Sequence, residues 1–325
     1  MKDGNIASHL TGSRSPIKIQ NMKIAPQESL DVIASPTGTQ RWPKESDLPR
    51  RAFVTSDGVR LSYIRQGSGR PLVLLHGWSQ CAEEFKHQIG SLSAQYDVIA
   101  VDQRSHGESQ KVSYGLKISR LAKDLYELLN GLDLNDLALL GHSMGSSVIW
   151  CYFDLFGPEC LSKIILVDQS PFLTSGPGWT QQELEDSGAS FTAQQVSEIV
   201  AALRSNEGEK VTRQALHRMV TQHATPEMKE WLIQCNLKMP RDLAGTLAYN
   251  HWHMDWRDLI PRINLPTLII SGRASGATSW KSQQWIHHQI ESSQFEVFEE
   301  AEGGQHFMFV ENPEKFNRTI IKYLG

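Results

Sequence analysis

From residue 51 onward the chain alternates between two hydrophobic patterns. Short, almost wholly apolar runs occupy residues 71–75, 97–101, 137–140, 163–167, 267–271 and 294–298. Their length and bounding polar residues predict buried strands. Between them, apolar residues recur every three to four positions. Ile118, Leu121, Ala122, Leu125, Leu128 and Leu129 mark one helical stripe. Helices are also expected over 144–156 and 280–291, and a last one begins at Asn312-Pro313-Glu314, a cap followed by proline at the first helical position. Its apolar face is Phe316, Ile320, Ile321 and Leu324. Residues 52–55 and 61–65 flank Ser56-Asp57-Gly58, a hairpin signal. Apolar strands alternating with helices predict an α/β fold whose mostly parallel sheet is covered on both faces.

The alternation stops between residues 172 and 260. That stretch carries helical stripes (Val196, Ile199, Val200, Leu203; Met228, Trp231, Leu232, Cys235) and no run that reads as a strand. The reading is a core of residues 51–171 and 261–325 interrupted by a helical cap, 172–260. Residues 1–50 differ again. They hold five of the 14 prolines and no sustained period, so a loosely ordered extension is expected. It lacks the apolar stretch of a secretory signal, and Asp3 among Arg14, Lys18 and Lys23 makes a poor mitochondrial presequence.

Composition narrows the class. Apolar residues make up 40% and charged residues 21%, enough for a sizeable core. A balance of 32 Lys and Arg against 36 Asp and Glu argues against nucleic-acid binding. No apolar run reaches the ~18–20 residues that span a bilayer. Cys81, Cys151, Cys160 and Cys235 have no paired spacing, so neither a zinc knuckle nor a disulfide framework is indicated, and a reduced, cytoplasmic setting is expected. Oligomeric state is left open.

The most specific signal is Gly141-His142-Ser143-Met144-Gly145, directly after one predicted strand and before a helix. That is the strand–turn–helix setting of a nucleophile elbow, with glycines where the turn is tight. A serine hydroxyl needs a base. His306, in the loop Glu302-Gly303-Gly304-Gln305-His306-Phe307 after the last strand, suits that role. The acid should end a strand between them. Residues 272–277 hold no carboxylate, whereas Asp168 follows the 163–167 strand, so Asp168 is the expected acid, with Asp255 and Asp258 as lesser candidates. The oxyanion would be held by the backbone N–H groups of Met144 and of Trp78, in His76-Gly77-Trp78-Ser79. Ser79 is either a substrate contact or a turn residue. Together with Ser79, His142, Trp179, Trp252 and Phe307 are placed at the substrate pocket. His251-Trp252-His253-Met254-Asp255 imitates a metal-ligand run, but no further ligand set follows, so no metal is expected.

These stretches, with Asp102-Gln103-Arg104-Ser105-His106-Gly107-Glu108-Ser109, resemble the α/β-hydrolase fold, in particular its capped branch of non-haem haloperoxidase- or perhydrolase-like esterases. The resemblance implies a mostly parallel, eight-stranded-type sheet flanked by helices. It covers residues 51–325. The family usually has glycine at Ser105, and glycine or alanine at Ser146. It usually carries its acid after the 267–271 strand, where this chain has none; some relatives place it after the earlier strand, which supports Asp168. The resemblance implies a cofactor-independent serine hydrolase acting on a small, largely apolar ester, thioester or lactone through an acyl-enzyme. A lyase, cyclase or cofactor-free oxygenase using His306 as base is the alternative, and a non-catalytic ligand-binding member the third.

Overall fold

The computed structural model describes residues 48–325. The expected extension therefore lies, through residue 47, outside the described residues. The main sheet has eight strands: β1 (Arg50–Val54), β2 (Arg60–Gln66), β3 (Arg70–Leu75), β4 (Tyr96–Asp102), β5 (Leu137–His142), β6 (Leu161–Val167), then β9 (Thr267–Gly272) and β10 (Ser293–Phe298). Their spatial order is β1-β2-β4-β3-β5-β6-β9-β10. β1 and β2 form the expected hairpin, and β2 is antiparallel to β4 as well. Every remaining pairing is parallel. Central strands β4, β5 and β9 are buried along their whole length, which is why they read as continuous apolar runs.

Helices α1 (Lys86–Leu92), α2 (Ile118–Gly131), α3 (Met144–Phe156), α9 (Trp280–Gln289), α10 (Met308–Glu311) and α11 (Pro313–Leu324) belong to the core. In α2 the buried apolar residues are the six of the predicted stripe. Asn312 caps α11 by accepting from the Lys315 N–H at 3.1 Å. Helix α3 is buried from Met144 to Tyr152. Val148, Ile149 and Trp150 join Val73, Leu139 and Leu166 in the largest core cluster. Each such side chain, fully buried, contributes about 1.5–3 kcal/mol.

Between β6 and β9 lie five α-helices, α4 (Gln181–Ser187), α5 (Ala193–Leu203), α6 (Gly208–His217), α7 (Pro226–Leu237) and α8 (Arg241–Trp252). Capping boxes at Thr180/Glu183 and Thr192/Gln195 start α4 and α5. The sequence reading missed one feature here: two-residue strands β7 (Thr174–Ser175) and β8 (Phe191–Thr192) pair in parallel. Two residues are too few to show a period. Val196, Val200, Leu203 and Ala248 bring α5 against α8. The Trp78 indole N–H donates to the Ala244 carbonyl at 2.8 Å, which ties α8 to the loop after β3. No helix among the described residues is long and apolar enough to cross a membrane.

Candidate active site

Ser143 sits at the break between β5 and α3 with φ 52° and ψ −123°. A β-carbon-bearing residue rarely holds positive φ, and the surroundings must impose it. Its N–H donates to the Val167 carbonyl at 2.8 Å. The flanking glycines are required by space. A Cβ on Gly141 would lie 2.5 Å from the Gly145 carbonyl carbon and the Ser146 nitrogen, and one on Gly145 would lie 2.3 Å from the Leu75 carbonyl oxygen. Ser146, where relatives usually have a smaller residue, is buried with its hydroxyl satisfied by the Gly141 carbonyl at 2.7 Å.

Asp168 ends β6, also at positive φ (52°), and is fully buried. Its Oδ2 lies 2.6 Å from His306 Nδ1 and accepts from the Ser275 hydroxyl at 2.6 Å. Its Oδ1 accepts from the Gly272 N–H and from Gln283 Nε2, each at 3.1 Å. Four donors thus replace the water that burial removes from this carboxylate. Gly272 ends β9 and Ser275 lies in the loop that follows, where the resemblance would have put the acid. Their residue types gave no warning in the sequence, because only the folded sheet aims them at Asp168. With Nδ1–H donating to Asp168, the neutral His306 ring keeps its lone pair on Nε2. The His306 N–H in turn donates to the Met219 carbonyl at 3.1 Å, fastening the loop to the segment above the sheet.

Ser143 and His306 open into one cavity of about 520 Å³, walled by residues of the core loops and of the inserted helices. Trp78 and Trp252 line it, their ring centroids 5.7 Å apart, and Trp252 stacks on Phe191 at 5.0 Å. Leu173, Ile199, Leu203, Val211 and Leu216 make much of the remaining wall apolar. The loop after β3 passes close to the serine: a Cβ on Gly77 would be 2.9 Å from Ser143 Cβ. The N–H of Met144, the first residue of α3, has no intrahelical acceptor.

Buried histidines hold this loop. The Gln103 N–H donates to His76 Nε2 and the Ser79 N–H to His106 Nε2, both at 3.1 Å. Backbone N–H groups only donate, so both Nε2 atoms are unprotonated, and the Nδ1–H groups donate to the carbonyls of Gly77 (2.8 Å) and Arg104 (2.9 Å). Burial holds His76 below the ordinary histidine value and His106 well below it. The same logic orients Gln80, which the sequence reading did not single out. The Gly77 N–H donates to its Oε1 at 2.9 Å, leaving its NH₂ at the cavity wall.

Four of the five expected pocket residues do not line the cavity. Ser79 is buried at φ 64°, where its hydroxyl donates to the Asn236 carbonyl at 3.0 Å and accepts from Arg241 at 2.7 Å. It is a turn residue that pins the loop. His142 lies behind the serine, its Nδ1 2.9 Å from Gln80 Oε1 and its Nε2 2.9 Å from the His306 carbonyl. Burial, then His306, hold it well below the ordinary value, so one proton serves two acceptors. Phe307 is buried edge-on to His306 at 5.3 Å. Trp179 packs on Phe172, with Arg257 over its ring at 4.4 Å. Trp252 alone of the five faces the cavity.

The run at 251–255 does not converge. His251 is buried, His253 Nδ1 lies 2.8 Å from the Tyr249 carbonyl, and Asp255 pairs with Arg257 at 2.6 Å. Asp258 is exposed and faces Arg262 at 3.6 Å. Cys81, Glu83 and Cys235 do bring ligand-type atoms within 4.8 Å of one another. Glu83, however, is already paired with Arg50 and with Lys238. The neighbouring Cys235, then burial, push the Cys81 thiol well above its usual range. A Cys81 thiol held protonated, beside a carboxylate already paired with two cations, does not suit a divalent metal.

The sequence profile of the α/β hydrolase fold family matches residues 70–313. The chain is 28% identical to non-heme chloroperoxidase CPO-A1 of Kitasatospora aureofaciens over 84% of its length and 98% of that protein's. Among solved structures, an esterase (EaEST) from Exiguobacterium antarcticum superposes with a TM-score of 0.77 at 26% identity, covering 84% of this chain and 98% of the esterase. The esterase RhEst1 from Rhodococcus sp. ECU1013 does so with 0.72 at 25% identity, covering 86% and 100%. The strand order, the elbow and this breadth of match lead to one conclusion: the chain belongs to the α/β-hydrolase fold family.

Proposed function

We propose that this protein is a serine hydrolase that cleaves small, largely apolar carboxylic esters, thioesters or lactones through an acyl-enzyme. The observation that carries this reading is the 2.6 Å contact between His306 and Asp168, with Ser143 and His306 on one cavity. His306 Nε2 takes the Ser143 proton as the hydroxyl oxygen attacks the acyl carbon. Asp168 fixes the ring orientation and stabilises the imidazolium that forms. The amides of Trp78 and Met144 hold the oxyanion; one such donor is typically worth about 10²–10³ in rate. His306 then passes the proton to the leaving group. Water, deprotonated by the same nitrogen, releases the acid and frees Ser143. The apolar wall favours a substrate without charge, and the esterase names among the similar structures support the ester class.

A fluorophosphonate probe, read by intact mass, tests the proposal. A single adduct on the wild type is expected, absent in Ser143→Ala and formed far more slowly in Asp168→Asn. No adduct on folded wild type would overturn the acyl-enzyme and turn attention to non-hydrolytic chemistry with His306 as base.

A further inference from the structure

His251 stands apart from the other buried histidines of this region. It lies near the end of α8, is 3% exposed and lines the cavity. His76, His106, His142 and His306 all place ring nitrogens against hydrogen-bonding partners. The Nδ1 of His251 is enclosed with no partner, and its Nε2 makes no hydrogen bond to any described residue. Burial pushes its pKa down to about 3, so the ring is neutral and offers one N–H and one lone pair.

Unpaired buried polar groups are uncommon, and an orphaned N–H is rarer than an orphaned acceptor. The enclosed Nδ1 is therefore the lone-pair atom, and Nε2–H is the group left to meet a ligand. The cavity wall holds apolar residues such as Trp252, Ile199 and Leu203 and polar ones such as Gln169, Thr212 and Asn236, yet none of its side chains hydrogen-bonds to His251. A ligand oxygen placed there would gain a bond that no described residue supplies, while a purely hydrocarbon ligand would leave the N–H unsatisfied.

We infer that His251 is a specificity-determining residue, and that the preferred substrate is an ester or lactone carrying a second oxygen acceptor, such as a keto or hydroxyl group, away from the scissile carbonyl. The inference rests on the hydrolase reading for the scissile bond and on His251 alone for the second oxygen. An acceptor at the right position should improve binding about five- to tenfold, the scale of one hydrogen bond whose loss would strand a buried donor.

The test uses four probes: 4-nitrophenyl octanoate and its 3-oxo, 5-oxo and 7-oxo analogues. Dissociation constants are read from tryptophan quenching in full-length Ser143→Ala protein, where Trp78 and Trp252 report on the cavity. One oxo isomer is expected to bind about five- to tenfold more tightly than the parent ester. Adding His251→Phe should erase that preference and leave the parent ester within about twofold. Adding His251→Asn, which restores a side-chain N–H, should recover part of it and provides the reading if the Phe variant does not fold. Equal affinities for all four probes, or a preference that survives both replacements, would overturn the inference. The two readings fail separately. If unmodified enzyme turns over none of the esters while the His251-dependent preference persists, only the hydrolase reading falls. If it turns over all four with kcat/KM values unaffected by His251→Phe, only the His251 assignment falls.

Discussion

At Asp168 one carboxylate oxygen meets both His306 Nδ1 and the Ser275 hydroxyl, each at 2.6 Å. Replacing that carboxylate with an amide puts an NH₂ or an uncharged oxygen against His306 and favours the wrong tautomer. Asp168→Asn should lower kcat by about 10³–10⁴ with a small change in KM, measured on a nitrophenyl ester. Ser275→Ala removes one of four donors and should cost only about tenfold in kcat. Ser105 offers a second contrast. It holds φ 65°, yet its hydroxyl donates to the Val112 carbonyl at 2.9 Å and accepts the Val112 N–H at 3.1 Å. Ser105→Ala keeps the strain and loses both bonds, so urea unfolding should show a loss of about 1–3 kcal/mol. Ser105→Gly relieves the strain and should recover about 0.5–1 kcal/mol of that. At this scale the sequence was most legible where a motif fixes a position. The turn around Ser143 could be read from its strand–turn–helix setting, and the strand ends pointed to Asp168 and His306, which the fold brings within 2.6 Å of each other. Ser275, Gln283 and Gln80 could not, because their partners are brought near only by the folded sheet.

The elbow depends on β3, β5 and α3 lying closer together than side chains permit. The Cβ of Gly145→Ala would meet the Leu75 carbonyl oxygen, which belongs to a central strand and has little room to move. That change should lower stability by about 1–3 kcal/mol or more, seen as a lower urea midpoint, and displace the amide at Met144. The helices of the core were legible because burial follows period: the α2 stripe is a direct consequence of one face meeting the sheet. The aromatic residues of the insertion were less so. Trp179 and Trp252 look alike in sequence, but one packs under Arg257 and the other faces the cavity. Which side of a cap residue faces the cavity is settled by how helices such as α5 and α8 pack, a relation between segments far apart in the chain.

Across the whole molecule, several buried groups titrate against the fold. Burial holds His76, His106 and His142 below the ordinary value of 6.5 and His251 at about 3. Between those values and 6.5 the unfolded chain binds protons that the folded chain refuses. Their stabilisation is thus fully present above about 6.5 and is lost as pH falls. Glu84, buried without a hydrogen-bond partner, acts in the opposite sense: its carboxyl is lifted well above 4.5, so the fold weakens as pH rises through that window. Glu83 and Glu311 are lifted too. Four histidines pushed down stand against three acids pushed up, and the histidines are expected to prevail as pH falls below 6.5. Thermal melting should therefore show a falling Tm from pH 7 to pH 5, with each histidine contributing at most about 1.4 kcal/mol per pH unit. A Tm that is flat or rises over that range would show that the lifted acids outweigh the histidines.

The pairing of β6 with β9 also sets a hazard during synthesis. Those strands are neighbours in the sheet but are separated by the whole inserted segment. While the ribosome makes roughly 100 intervening residues, at about 5–20 residues per second, the nascent chain carries β6 as an apolar edge with no partner. Such an edge invites pairing with another chain. The growing polypeptide is therefore most in need of a chaperone after Val167 has emerged and before β9 has docked. His306 leaves the ribosome later still, so the site can function only after β9, β10 and the loop that follows them have been made.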